Sequence, residues 1–96
     1  MRPSEKLPQH RKTIRELVRQ AGMANPRVFG RVLRGEDTEG SDLDILVDPA
    51  PTTSLLDLAG LQVEIEAKTG AKVDLLTPNS LPVKFRQRVL DEATSV

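Results

Sequence analysis

Ninety-six residues suffice for one modest core, so the chain reads as a single domain over residues 1–96 with no room for a second catalytic or substrate-recognition unit. The absence of cysteine removes disulfides and thiolate metal sites, and no apolar run is long enough to span a bilayer or act as a signal sequence, which makes a reducing cytoplasm the expected home. The formal charge is zero but unevenly placed: residues 1–34 hold nine Lys or Arg against Glu5 and Glu16, a balance of +7, and residues 35–96 carry −7. Such a partition fits an electrostatic surface for a partner or nucleic acid, and equally a solvated basic helix.

The first predicted element is a helix from Pro8 to Gly22. Proline stands near its first turn, Ile14, Leu17, Val18 and Ala21 recur at helical spacing, and glycine closes it. The opposite face is basic. Asn25-Pro26 marks a turn, and Arg27-Val28-Phe29 reads as a short strand ending at Gly30. Residues 31–35 form a turn or the start of a helix whose amides could face phosphate oxygens.

A polar connection, Glu36 to Ser41, hinges at Gly40 and leads into a second strand, Asp42 to Val47, closed by Pro49 and Pro51. Ser54 is a suitable N-cap for a helix to about Thr69, with Leu55, Leu58, Ala59, Gln62 and Ile65 on one face and Gly70 as terminator. Lys72 to Thr77 is a third strand. Pro78-Asn79-Ser80 caps a last helix with an apolar stripe of Leu81, Phe85, Val89 and Leu90, and the chain after Ala93 is expected to fray. The order helix, strand, turn, strand, helix, strand, helix predicts an α+β fold, a small mixed sheet covered by helices.

Strand alternation gives the candidate chemistry. Asp42 and Asp44 point to one face while Leu43, Ile45 and Val47 point to the other, and two carboxylates on one face can share a metal ion. If the 72–77 strand lies alongside, Asp74 joins them, and an all-oxygen donor set favours magnesium or manganese. The alternative is the wet face of an amphipathic strand. His10 has no partner at metal-ligand spacing and reads as a surface residue, Asp48 reads as a turn residue, and Ser41 and Ser80 lack a base. The two rings, Phe29 and Phe85, fall at apolar positions, so binding of single-stranded nucleic acid by stacking is not expected.

Gly30, the Arg34-Gly35-Glu36 step, Ser41-Asp42-Leu43-Asp44 and the later Asp74 together resemble the minimal nucleotidyltransferases. These are single-domain members of the polymerase-β-type nucleotidyltransferase superfamily, many of them antitoxins paired with HEPN ribonucleases. The resemblance covers residues 25–77 by motif and the whole chain by length. It implies the polymerase-β-like nucleotidyltransferase fold and transfer of AMP, or another nucleotide, from an NTP such as ATP to a partner protein, with a tyrosine of a HEPN toxin as the acceptor. It further implies two Mg²⁺ ions held by Asp42, Asp44 and Asp74, with Asp74 also receiving the nucleophile's proton, and nucleotide contacts at Gly30, Arg31 and Arg34, the last of which fits an ion pair with Glu36 or Asp37 equally well. One position departs from the pattern: the family's glycine is normally followed by serine, and this chain has Arg31. A guanidinium accepts no hydrogen bond but offers five donors to phosphate, so the departure fits either an active enzyme or a catalytically weak antitoxin that neutralises its toxin by contact.

Overall fold

The computed structural model describes all residues, Met1–Val96. Helix α1 (Pro3–Gln20) precedes strand β1 (Ala24–Phe29), the one-turn helix α2 (Arg31–Arg34), β2 (Leu43–Asp48), α3 (Leu55–Thr69) and β3 (Val73–Leu76). A 3₁₀ turn, Pro78–Ser80, then leads to α4 (Val83–Glu92) and a two-residue strand β4 (Thr94–Ser95). The sheet order is β3-β2-β1-β4. β2 and β3 are parallel, joined by the α3 crossover, and β1 is antiparallel to both β2 and β4. The sheet is therefore mixed and helix-covered, as the element order predicts.

The core lies on one face of the sheet. Ile14, Leu17 and Val18 of α1 and Leu61 and Ile65 of α3 pack with Val28, Leu43, Ile45, Val47, Val73 and Leu75 from the strands. Alternation sends Phe29, Asp44, Leu46 and Asp74 to the opposite face. Leu46 is fully buried there yet lies outside the main cluster, as does buried Leu81. The 3₁₀ turn packs against β2, so the lower part of this face is a second, smaller apolar layer. Its upper part is left for the acids.

Several boundaries differ from the sequence reading. Helix α1 starts at Pro3 rather than Pro8, because Asp37 caps it from a distance: its buried carboxylate accepts the Ser4 backbone N–H at 2.8 Å. Arg2, in the N-cap position, has no acceptor to offer. The Asn25-Pro26 turn is instead an irregularity within β1, with Asn25 at φ 55°.

The chain end is not frayed. Thr94 and Ser95 pair with β1, Val96 is buried and donates its N–H to Pro26 O, and Arg11 and Arg15 donate to main-chain oxygens of Ser95 and Val96. The basic face of α1 is thus partly an internal device, since Lys6 also reaches Gly70 O at 2.8 Å. No periodic pattern in a three-residue tail reveals a clamp made by side chains some eighty residues away.

Helix α3 is apolar round most of its circumference, which hid its inner stripe. The buried positions are Leu61, Ile65 and Thr69, with Leu58 packed at the margin, while Leu55 and Ala59 face solvent. Gln62 and Glu66 accept the N–H groups of Leu75 and Val73, closing the outer edge of β3. In α4 no residue is fully buried and Phe85 is 47% exposed, against the expectation of a packed stripe. No helix is long and apolar enough to cross a membrane.

Candidate active site

Three residues form a row across the acid face. Phe29 of β1 is the register partner of Asp44 in β2, and Asp44 is the register partner of Asp74 in β3. Asp42 lies just before β2 and its charge also reaches Asp44. The structure thus makes Asp42, Asp44 and Asp74 neighbours on one face. Burial pushes the half-buried Asp44 carboxyl up to about 6, with repulsion from Asp74 and then Asp42 adding to it, and Arg31 and Arg34 only partly offset the rise. The cluster is short of positive charge.

Gly30 brings the turn against this row. Its backbone, φ 77° and ψ −150°, lies in a region that essentially only glycine occupies. A Cβ there would also stand 2.3 Å from Asp44 Oδ2. The glycine is therefore required both by the turn and by the carboxylate beneath it.

Beyond Gly30, α2 ends at Gly35, which adopts the left-handed conformation, and the chain crosses to β2 through a pinned loop. Ser41 Oγ accepts the Thr38 N–H at 2.8 Å and Ser41 N–H donates to Thr38 O. Asp37 ties the same loop to α1. Burial raises the Asp37 carboxyl, but hydrogen bonds from Ser4 outweigh it and leave the group below the usual carboxylate range. Sequence reasoning placed Asp37 in an undifferentiated polar connection. Its position within a run of acids gave no sign of a cap supplied to a helix 33 residues earlier.

A pocket of about 220 Å³ is lined by Arg31, Ser41, Asp42 and Asp44, all polar. Arg31 lies at its wall, and none of the chain's ion pairs involves it. Arg34 points elsewhere: its guanidinium is 3.2 Å from Glu36 and 3.8 Å from Glu92, reaching toward α4. His10 is half-buried on α1, on the helical side of the sheet. Asp48 is the last residue of β2, held by Arg27 and Asn25.

Sequence reasoning also missed a second cleft on the same face. Phe29 and Gly30 meet one side of α4 there, including Phe85, so an accessible ring does stand beside the acids.

No set of three acids or imidazoles closes tightly enough to enclose an ion unaided. Magnesium does not need such a cage, since it keeps several waters and binds through one or two carboxylates plus substrate phosphates. A half-buried carboxylate whose negative charge is disfavoured by burial and by neighbouring acids, in an open pocket with Ser41 and Asp42, fits that requirement.

A two-carboxylate pocket thus lies beside a glycine turn, on a mixed sheet with a third acid on the adjoining parallel strand. Residues 7–96 match the family model described as a nucleotidyltransferase domain. The protein adenylyltransferase MntA of Thermococcus cleftensis is 40% identical over 87 residues, which cover 91% of this chain and 85% of that protein. A solved structure of a presumed minimal nucleotidyltransferase superposes with a TM-score of 0.86 at 38% identity, over 97% of this chain and 95% of the other. The fold is shared at 20% identity with the solved complex of a tri-AMPylated Shewanella oneidensis HEPN toxin and MNT antitoxin, with a TM-score of 0.69 over 92% of this chain and 69% of the matched one. The chain belongs to the nucleotidyltransferase family, among its minimal nucleotidyltransferases.

Proposed function

We propose that this chain is an antitoxin-type nucleotidyltransferase that moves AMP from ATP to a tyrosine of a HEPN toxin. The observation that carries the reading is the Asp44–Asp74 register pair with Asp42 beside it, a group of carboxylates with too little positive charge of its own. Support for the acceptor comes from the relatives, one a protein adenylyltransferase and one an antitoxin bound to an AMPylated HEPN toxin.

Asp42 and Asp44 would hold Mg²⁺, and Asp74 would complete the site. The ion supplies Lewis acidity and neutralises charge on the phosphates. The acceptor hydroxyl oxygen attacks the α-phosphorus, the bond to the bridging oxygen of the β-phosphate breaks, and pyrophosphate leaves. Asp74, exposed on the edge strand, takes the hydroxyl proton. Gly30 keeps the turn close to Asp44 without a side chain between them.

A second reading rests on Arg31. Its guanidinium lines the same pocket as Asp42 and Asp44 and already opposes their charge, so it competes electrostatically with a metal ion while offering no Lewis acidity. In that reading the chain neutralises its toxin by direct binding, with weak transfer or none.

Thermal denaturation tests the site. Mg²⁺-ATP should raise the melting temperature, because a ligand that binds only the folded state stabilises it, and Asp42→Asn with Asp44→Asn should abolish the rise while leaving the protein folded. No shift at millimolar Mg²⁺-ATP counts against a competent site.

A further inference from the structure

The cleft on the Phe29 side of Asp44 has a composition unlike that of the acid pocket. It measures about 140 Å³. Its floor is Phe29 and Gly30, and its wall is one face of α4, where Phe85, Arg88, Val89 and Glu92 recur at i, i+3, i+4 and i+7. This explains the exposure of Phe85: the apolar side of α4 is spent on the cleft rather than on the core.

Both guanidinium groups of the cleft are ion-paired. Arg34 and Arg88 both reach Glu92, at 3.8 and 3.5 Å, and Arg34 also pairs with Glu36. A walled space with two phenyl rings and neutralised guanidinium planes favours a flat uncharged ring over a phosphate, since bases stack on both kinds of surface. Its place in the row decides which ring. Phe29 flanks Asp44 on the side opposite Asp74, so an acceptor approaching Asp74 comes over the β3 edge of the same face, away from the cleft.

We infer that the Phe29–Phe85 cleft is a nucleobase subsite, holding the base of the nucleotide whose phosphates meet Asp42 and Asp44. The inference rests on the nucleotidyl-transfer reading and adds the residues that select the nucleoside end of the substrate.

The test compares binding of Mg²⁺-ATP with that of Mg²⁺-tripolyphosphate, which lacks base and sugar. Phe85→Ala should weaken ATP binding about tenfold and leave tripolyphosphate binding unchanged, with Phe85→Trp restoring ATP affinity. Equal weakening of both ligands would make Phe85 structural and overturn the inference. Unchanged ATP affinity together with a raised KM for the acceptor protein would give the cleft to the acceptor and overturn it as well. Failure of the unaltered protein to bind either ligand would sink the nucleotidyl reading itself, a result distinct from both.

Discussion

The Cα of Gly30 faces Asp44 so closely that a methyl group placed on it would stand 2.3 Å from the Asp44 Oδ2 atom. Gly30→Ala therefore forces the turn, the carboxylate or both to move. The backbone conformation alone costs a non-glycine residue about 1–3 kcal/mol, and each kcal/mol lowers the melting temperature of a domain this size by about 4–8 °C. The expected result is a lower melting temperature together with loss of the Mg²⁺-ATP shift. A variant as stable and as responsive as the parent would show that the contact is relieved at no cost.

Asp44 gives the metal-free protein a distinctive pH dependence. Its carboxyl is raised from 3.8 to about 6 in the folded state, so the folded chain binds the proton more tightly than the unfolded one. That contribution to stability is fully present below about pH 4 and is lost as pH rises through about 6. Asp44→Asn should flatten this slope in urea denaturation between pH 4 and 7, and should be more stable than the parent at pH 7 without divalent metal. An unchanged slope would place the titration elsewhere.

Asp37 should act in the opposite sense. Its carboxyl is held low, so its stabilisation is present above the usual carboxylate range and is lost as pH falls through it. Asp37→Ala removes the cap on Ser4 and should cost about 1 kcal/mol, with the loss of hydrogen-exchange protection concentrated in the first turn of α1. Asp37→Asn keeps an acceptor and should recover most of the loss. Uniform loss of protection across the domain would contradict a capping role.

Arg31→Ser installs the small hydroxyl that the resemblance to minimal nucleotidyltransferases leads one to expect after the turn glycine. If Arg31 competes with metal at the pocket wall, the serine variant gains transfer activity by about tenfold or more, equal to about 1.4 kcal/mol of transition-state stabilisation. A loss of activity would make Arg31 a working phosphate ligand, since a guanidinium can clamp phosphate through paired donors.

The acid face was readable from the sequence because it depends on local rules. Alternation puts Asp44 opposite Ile45, and a lone Asp in Val73-Asp74-Leu75 reads the same way once the two strands are taken as neighbours. Elements built by distant partners were not readable. Asp37 extends α1 by a turn, Arg11 and Arg15 hold β4, and neither leaves a periodic trace. Helix α4 misled for another reason: its Phe85, Val89 and Leu90 carry a proper apolar spacing, but spacing states which side is apolar, not whether core or cleft lies beneath it.

In the proposed function, Asp42 and Asp44 make this chain a transferase acting on a partner protein. A direct measurement incubates the protein with the HEPN-type partner proposed for it, Mg²⁺ and ATP labelled on the α-phosphate, in parallel with the Asp42→Asn, Asp44→Asn double variant. Label should appear on a tyrosine of the partner with the parent protein, and the double variant should lose at least about a thousandfold in rate, on the order of 4 kcal/mol. Equal labelling by both proteins, or a partner neutralised with no label transferred by the parent, would contradict it.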